Sequence, residues 1–333
     1  MFQEIIIFLA SIVIYMLIYH YKREISQKFK LIDFPNEKRK IHTSPTPIMG
    51  GIIILTIFIL NIAIYFLLNQ SIDILIIFSL GVIYFLVGLY DDIKNLSSYF
   101  RLVFLFLITY LFLSFSDNLL IRELDFNYNN IIFDLGYFSV FVTTLCLLLL
   151  VNSLNLADGI NGLSTMLIFF WIVYIKYFLF INYSVSGVSL LFIILIIFYH
   201  IYQGKYFMGD SGVTISAVII GLLSIYSFNI QNTKDIYVEE IFLLFFIPGL
   251  DMFRLFIQRI INKQHPFKAD NQHLHHLLIS RFKINYCLFF YFIISFLPII
   301  IYKNFTLNTV YLISAYSLFY IILTGFFLKK ISD

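Results

Sequence analysis

The sequence predicts an all-α polytopic membrane protein with about eleven transmembrane helices. Of its 333 residues, 61% are hydrophobic and only 12% are charged, whereas a soluble domain carries about 25% charged residues. Apolar runs of about 20 residues, the length of a membrane-spanning helix, recur along nearly the whole chain. Backbone groups inside a bilayer must be paired within the segment, and the alternating polarity of barrel strands is absent from the sequence. Helices are therefore expected.

Eleven apolar segments are the candidate spans, and no repeat or low-complexity linker divides the chain. Residues 1–333 are therefore expected to form a single integral membrane domain. The segments cover residues 2–20, 49–68, 72–89, 101–116, 137–151, 163–181, 185–199, 211–228, 239–255, 285–302 and 305–328.

Positive charges predict the orientation of the spans. With the N-terminus outside, the inner loops hold eighteen of the 22 Lys and Arg residues, and the outer segments hold three. This bias predicts an external N-terminus and a cytoplasmic C-terminus. The first apolar run has Lys22 and Arg23 after it and no small-residue cleavage site, so we expect a retained anchor rather than a cleaved signal.

Carboxylates stand at the cytoplasmic ends of two spans. Asp91 and Asp92 close the third span, where the helix dipole is already negative. Mg²⁺ with a phosphate-bearing substrate would balance them, and a solvated acidic loop is an equal alternative. Asp210 begins the eighth span, where a helix cap competes with a hard-cation ligand.

A polar segment follows the fifth span. Asn152, Asn155 and Asp158 recur every three residues, so on a helix they share a face. Gly159 and Gly162 permit the close approach of a ligand or of backbone. On these residues alone, a capped turn between two membrane helices is the simpler interpretation.

Four of the seven histidines lie between positions 265 and 276. Asp270 is expected to cap a short surface helix there. The histidines favour phosphate contact over zinc binding, because no cysteine accompanies them. Cys146 and Cys287 are isolated in apolar runs and predict neither a metal site nor a redox pair. The apolar face of the short helix comprises Leu274, Leu277 and Leu278, and the histidines at its start are His273, His275 and His276.

Two further charged groups leave alternatives open. The first loop contains Lys40 and His42, which suit either anionic lipid headgroups or substrate phosphates. Asp251 ends the ninth span near Arg254 and Arg259, and buried ion pairing and a functional role are equally favoured.

Taken together and in order, these segments resemble the polyprenyl-phosphate N-acetylhexosamine-1-phosphate transferases of the glycosyltransferase 4 type. The likeness runs from Asp33 to about Leu278, and only the combination of motifs is specific. The form of the histidine motif resembles the sugar-phosphate branch, which initiates O-antigen, common antigen or teichoic acid synthesis. The motifs are Arg39-Lys40-x-His42 with Pro47-x-x-Gly50-Gly51, Asp91-Asp92, Asn155-x-x-Asp158-Gly159, Phe207-Met208-Gly209-Asp210 and His273-x-His275-His276.

The resemblance implies transfer of N-acetylhexosamine-1-phosphate from a UDP-sugar to undecaprenyl phosphate, with release of UMP and with Mg²⁺, or Mn²⁺ as a substitute. It implies a multi-pass protein of the bacterial inner membrane with its site at the cytoplasmic face. It implies no nucleic acid partner, and a homodimer is one option for the oligomeric state. By this likeness Asp210 and Asp92 are metal ligands, and Asp91 and Asp92 are catalytic, as base or nucleophile. Substrate binding would fall to Lys40, His42, Asn152, Asn155, Asp158, Asn161, Asp251, His273, His275 and His276.

Three departures from the family pattern concern the donor. Asn161 stands where an acid is usual, Val213 where a Ser is usual, and His200 near a usual Asn. A changed amide or carboxylate alters the hydrogen bonds offered to a ligand, so the donor is expected to be an N-acetylhexosamine other than, or in addition to, GlcNAc. The alternative is that Asn161 makes a similar hydrogen bond to uracil or ribose and leaves the sugar preference unchanged.

Alternative functions are a phospho-MurNAc-pentapeptide transferase and, from another class, a lipid flippase or secondary transporter. Transporters place polar groups near the bilayer midplane in repeated halves, whereas the acids here gather at one edge. The sequence therefore favours the transferase.

Overall fold

A computed structural model of the chain describes residues 2–35, 44–69, 71–127, 131–176, 187–230, 237–266, 270–305 and 307–332. Helices dominate these ranges, so the predicted all-α class and the polytopic membrane character are confirmed. The α-helices within the ranges are α1 (Phe2–His20), α2 (Lys22–Phe29), α3 (Gly50–Asn69), α4 (Ile72–Lys94), α5 (Ser98–Leu113), α6 (Ser139–Ala157), α7 (Leu163–Tyr174), α8 (Gly187–Tyr202), α9 (Gly209–Ile230), α10 (Val238–Ile261), α11 (Leu274–Ile279), α12 (Ile284–Asn304) and α13 (Thr309–Ser332).

Each of the eleven predicted segments contains one helix, and α2 and α11 are short additional ones. By length and composition, α4, α6 with its preceding turn, α9, α12 and α13 can cross a membrane. The helix α4 runs five residues beyond the predicted end of its span, because it closes only at Asn95, which adopts a left-handed conformation. Asp91 and Asp92 therefore lie within the last turn of α4 rather than in a loop.

Two short antiparallel strand pairs were not predicted. The strands β1 (Ile32–Asp33) and β2 (Thr46–Pro47) pair with each other, as do β3 (Glu123–Phe126) and β4 (Ile131–Asp134). Hydropathy misses them because they are two to four residues long and lie outside the apolar runs.

The contacts of the chain fall into two compact units. The first comprises Met1–Leu120 and Val140–Gln231, and the second comprises Ile121–Ser139 and Asn232–Asp333. In the first unit α9 is the central helix and packs against α3, α4 and α7. Small residues allow this close packing, since a methyl group at Gly51 would lie 2.2 Å from Ser211 Oγ. One at Gly88 would lie 2.6 Å from Ser211 Cα.

In the second unit α10 packs against α12, and the short α11 packs against α12 and α13. The predicted apolar face of α11 is buried as expected, with Leu274, Leu277 and Leu278 at most 2% exposed. This packing fixes the position of the histidine segment relative to α10, α12 and α13.

Candidate functional site

Five residues from three helices of the first unit form the aspartate cluster: Asp91, Asp92, Arg101, Asp210 and Ser211. The last turn of α4 supplies the adjacent carboxylates, the first turn of α5 supplies Arg101, and the first turn of α9 supplies the other two. The tight packing of α4 against α9 brings these helix ends together. Three of the residues are predicted site residues.

Asp92 is bound to the N-terminus of α9. Its Oδ1 accepts a hydrogen bond from the Asp210 backbone N–H at 2.8 Å, and its Oδ2 accepts from the Ser211 N–H at 3.1 Å and the Ser211 hydroxyl at 2.7 Å. The first backbone N–H groups of a helix have no partner within the helix, and a carboxylate there also complements the dipole. Asp92 therefore caps α9 from a neighbouring helix.

Gly209 makes this capping possible. Its φ is +73°, a conformation that side chains rarely adopt, and a methyl group there would lie 2.3 Å from Ile48 Cγ2 and 2.9 Å from Asp92 Oδ2. Only glycine lets the chain enter α9 this close to the carboxylate.

The other two carboxylates share Arg101. Asp91 pairs with the guanidinium and also accepts the Leu96 N–H at 2.6 Å. Arg101 Nη1 lies 3.7 Å from Asp210 Oδ2, and the Asp210 side chain is 34% exposed. The carboxylate of Asp210 is therefore more open to a ligand than that of Asp91, which is 7% exposed.

The segment from Pro47 to Gly50, which follows the first loop, is hydrogen-bonded to the segment before Asp210. The Phe207 N–H donates to Pro47 O at 2.8 Å, and Phe207 O accepts from Met49 and Gly50. The Pro47 to Gly51 motif and the Phe207 to Asp210 motif are thus directly hydrogen-bonded. Lys40 and His42, predicted to bind substrate, lie outside the described residues.

Asp158 lies just after α6 and accepts the Ser164 hydroxyl. The pKa of this carboxyl is raised to about 7, chiefly by burial and also by the nearby charge of Asp92, while the hydrogen bond from Ser164 opposes the rise. Asp158 is therefore within electrostatic reach of the aspartate cluster.

The three asparagines of this segment are half-buried in the same unit. Asn152 and Asn155 lie in the last turns of α6, and Asn161 lies in the turn before α7. The Asn152 amide donates to Leu148 O at 2.8 Å within its own helix. As far as the structure describes them, four of the five sequence motifs thus belong to the first unit.

The fifth motif lies in the second unit, where Asp251 of α10 is its main acceptor. His273 Nδ1 lies 2.9 Å from Asp251 Oδ2, and the Leu274 N–H donates to the same carboxylate at 3.2 Å. Arg254 Nη2 lies 2.9 Å from Oδ1, and the Tyr320 hydroxyl donates to Oδ1 as well. Asp251 is 3% exposed, so the structure gives it buried pairing, one of the two sequence interpretations.

The expected cap of α11 is wrong. Asp270 instead accepts the Gln272 N–H and pairs with Arg259, while Asp251 accepts the first N–H of the helix. The sequence pattern favoured Asp270 because it lies just before the helix in sequence, but Asp251 of α10 lies closer to the first N–H in space.

The rings of the three histidines of the motif contact one another in sequence, the first two stacked and the last two tilted. The rings of His273 and His275 lie 5.6 Å apart at 9°, and those of His275 and His276 lie 4.2 Å apart. His275 is fully buried, which lowers its pKa well below the usual value. His276 is half-buried and is the most exposed of the three.

Among the described residues, no group of three His, Cys, Asp or Glu side chains is arranged to hold a metal ion by itself. Mg²⁺ is commonly held by one or two carboxylates plus substrate phosphates. The open carboxylate of Asp210, beside Asp92, fits that kind of ligand set.

Comparison with known proteins gives the family. The profile of Glycosyl transferase family 4 matches residues 74–228. A phospho-N-acetylmuramoyl-pentapeptide-transferase of Prochlorococcus marinus is 30% identical over 271 residues, 73% of this chain and 70% of its own. The chain belongs to the polyprenyl-phosphate hexosamine-1-phosphate transferase superfamily.

Two other relatives of this transferase carry a different name. A probable undecaprenyl-phosphate N-acetylglucosaminyl 1-phosphate transferase of Bacillus subtilis is 26% identical, covering 84% of this chain and 78% of its own. An undecaprenyl-phosphate alpha-N-acetylglucosaminyl 1-phosphate transferase of Escherichia coli is also 26% identical, covering 78% and 72%. The chain is therefore a glycosyl-1-phosphate transferase enzyme, and the transporter alternative is set aside.

Arg101, Ser211 and Tyr320 contact predicted site residues of the transferase but were not predicted themselves. Ser211 follows Asp210 directly, and Arg101 stands ten residues after Asp91, so both were within reach of sequence reasoning. Tyr320 is one tyrosine among many in an apolar run, and no sequence signal links it to Asp251.

Proposed function

We propose that this transferase moves N-acetylhexosamine-1-phosphate from a UDP-sugar to undecaprenyl phosphate and releases UMP, as the first step of a cell-envelope polysaccharide. The aspartate cluster carries the proposal, because it joins carboxylates and a guanidinium from three separate parts of the chain. The names of the Bacillus subtilis and Escherichia coli relatives agree with this acceptor and sugar.

Each residue of the aspartate cluster receives a role from its contacts. Arg101 is placed to bind a phosphate oxygen, since it lies between two carboxylates that fix its guanidinium. Asp91 holds Arg101 and is a candidate for handling the proton of the acceptor phosphate. Asp92 holds the start of α9 and so orients Asp210.

We assign Mg²⁺ to Asp210 and Asp92. A carboxylate has about four acceptor positions, and Asp92 uses three of them within the described contacts. When bound, the ion would neutralise the charge on the transferred phosphate. Activity is expected to require a divalent cation, and full turnover in excess chelator would contradict this assignment.

By the family resemblance, we assign donor binding to the polar segment after α6 and to the histidine motif. These are Asn152, Asn155, Asp158 and Asn161 in the first unit, and His273, His275 and His276 in the second. Lys40 and His42 are assigned to substrate phosphates on the same basis.

The membrane arrangement is also proposed: one transferase domain in the bacterial inner membrane, eleven spans, an external N-terminus and a cytoplasmic site. The positive-inside bias supports it. In a cysteine-free background, a cysteine at exposed Ile93 is expected to react only from the cytoplasm. One at exposed Asp134, in β4, is expected to react only from outside. The reverse pattern would contradict the orientation.

The decisive experiment incubates the purified protein with undecaprenyl phosphate, Mg²⁺ and single UDP-sugars, and measures UMP. UDP-GlcNAc, UDP-GalNAc and further UDP-N-acetylhexosamines form the panel, tested on wild type and on Asn161→Asp. We expect wild type to use a donor other than, or besides, UDP-GlcNAc. A wide preference for UDP-GlcNAc in both proteins would remove the specificity role of Asn161, and absence of UMP with every donor would contradict the function.

A second candidate has its own support. The Prochlorococcus marinus relative is 30% identical and is named for the pentapeptide substrate. UDP-MurNAc-pentapeptide therefore belongs in the panel, and its use as the best donor would replace the first proposal.

A further inference from the structure

We infer that Tyr320 and Asp251 are positioning residues, which hold the histidine motif in the orientation that binds the UDP part of the donor. The inference rests on the proposed function. Tyr320 lies outside the family motifs, and Asp251, expected from the likeness to bind substrate, here receives a positioning role instead. It starts from the buried carboxylate of Asp251, which gathers donors from three helices.

The donors at Asp251 have distinct origins. Arg254 comes from the same helix, α10, while His273 and the Leu274 N–H come from the start of α11. Tyr320 is fully buried in α13 and donates its hydroxyl to the same carboxylate. A buried carboxylate needs such donors, and removing one leaves the remaining group poorly paired. Tyr320 therefore holds Asp251 from a different helix, α13, through the same carboxylate oxygen that Arg254 contacts.

The bond from Asp251 to His273 fixes the imidazole. An ionised carboxylate only accepts hydrogen bonds, so the proton of His273 resides on Nδ1 and Nε2 is the ring nitrogen left for other partners. The ring of His273 stacks on His275, which in turn contacts His276. The bond to Asp251 thus fixes the orientation of His273. The ring contacts extend this constraint to His275 and then to His276, the most exposed of the three.

The loop before α11 is held to α10 in the same way. Arg254 Nη2 donates to Gln272 O at 2.5 Å, and Arg259 pairs with Asp270 at 2.9 Å. The start of α11 is therefore fixed by α10 through both arginines, and α13 contributes through Tyr320 alone among the described hydrogen bonds to this carboxylate. Removal of that one hydroxyl is the least disruptive test of the arrangement.

The test compares two tyrosines of α13. Tyr320→Phe removes the hydroxyl at Asp251, and Tyr316→Phe removes a buried hydroxyl one turn earlier, which donates to Ile294 O at 2.8 Å. Each variant loses one buried hydrogen bond, and Tyr320→Phe should lose more thermal stability than Tyr316→Phe, because its hydroxyl donates to a carboxylate rather than to a neutral carbonyl. The dissociation constant of UDP is measured with the purified protein and Mg²⁺, and it is expected to rise about tenfold in Tyr320→Phe. This is the lower end of the loss in affinity seen when a residue that orients a binding side chain is removed. The dissociation constant should change less than twofold in Tyr316→Phe.

A double substitution tests the route. If Tyr320 acts through His273, then in a His273→Ala background Tyr320→Phe should change the UDP dissociation constant less than twofold. Steady-state kinetics should show a raised KM for the UDP-sugar and an unchanged KM for undecaprenyl phosphate. Equal effects of the two tyrosine substitutions, or full additivity with His273→Ala, would overturn the inference.

A substitute variant and the wild-type assay separate the possible outcomes. If Tyr320→Phe does not fold, Asp251→Asn replaces it, because an amide oxygen cannot serve all of these donors, and more than tenfold weaker UDP binding is then expected. An unchanged dissociation constant there also overturns the inference. The failure of the proposed function is separate, since it appears in wild type as the absence of UMP release with every donor.

Discussion

Replacement of Asp92 by asparagine should lower both stability and turnover, whereas the same change at Asp210 should lower turnover with a much smaller loss of stability. The carboxylate of Asp92 accepts three hydrogen bonds from the first turn of α9, while the side chain of Asp210 is one-third exposed with Arg101 3.7 Å away. The two substitutions remove the same charge from neighbouring sites and thus control for each other.

The magnitude follows from the contacts. An asparagine oxygen can replace only one carboxylate oxygen of Asp92, so at least one N–H of α9 loses its acceptor, at a cost of about 1–3 kcal/mol. The bonds that remain are no longer charge-assisted and are roughly half as strong. Loss of the negative charge at the start of α9 removes about another 0.3–1 kcal/mol. The free energy of unfolding of Asp92→Asn should therefore fall by about 3 kcal/mol.

The assay measures unfolding of the detergent-solubilised protein for wild type, Asp92→Asn and Asp210→Asn, with UMP release from the same preparations. We expect both variants to lose at least about a hundredfold in turnover, the scale of a lost acid–base or metal-positioning group. Asp210→Asn loses a negative charge in the same first turn but no hydrogen bond to α9, so its free energy of unfolding should fall by no more than about 1 kcal/mol. If Asp92→Asn is as stable as Asp210→Asn, the capping role of Asp92 is wrong.

Three further predictions concern the first unit. Asp91→Asn should lower turnover at least about a hundredfold, because it releases Arg101; UMP release near the wild-type rate would return Asp91 to a solvated role. Gly51→Ala should cost about 1–3 kcal/mol of stability, because its methyl group meets Ser211. Gly249→Ala is the control, because nothing lies within 4 Å of its added methyl group. Equal stability of the two variants would contradict the close packing at Gly51. Asp158 has a pKa raised from 3.8 to about 7, so its folded state binds more protons than its unfolded state and loses stability as the pH rises between these values. Asp158→Asn should therefore gain stability relative to wild type from about pH 4 to about pH 7 and level off above, and a pH-independent difference would refute the shift.

Much of the fold could be predicted from the sequence, because a bilayer imposes a local requirement. Each apolar run must satisfy its own backbone, and each of the eleven predicted segments contains a helix. The end of α4 was placed too early, since hydropathy falls at Asp91 while helical hydrogen bonding continues to Lys94. The short strand pairs were missed because their strands are only two to four residues long and lie outside the apolar runs.

The candidate site was predicted as a set of residues, but its contacts were not. The sequence predicted that Asp210 and Asp92 share a metal site. No local sequence pattern shows that Asp92 caps α9, the helix that Asp210 begins. At Asp270 a local capping pattern gave the wrong acceptor, because Asp251 lies closer in space.

The sequence by itself determined the class of the fold, the family and the chemical types gathered in the motifs, since these depend on composition, local periodicity and order along the chain. Only the tertiary structure decided which side chains hold others in place: Asp92 on α9, Arg101 on Asp91, and Tyr320 on Asp251. These contacts join residues up to 119 positions apart. A buried carboxylate takes whichever donors the packing of helices brings to it, and that packing depends on glycines and side-chain shapes across the whole unit.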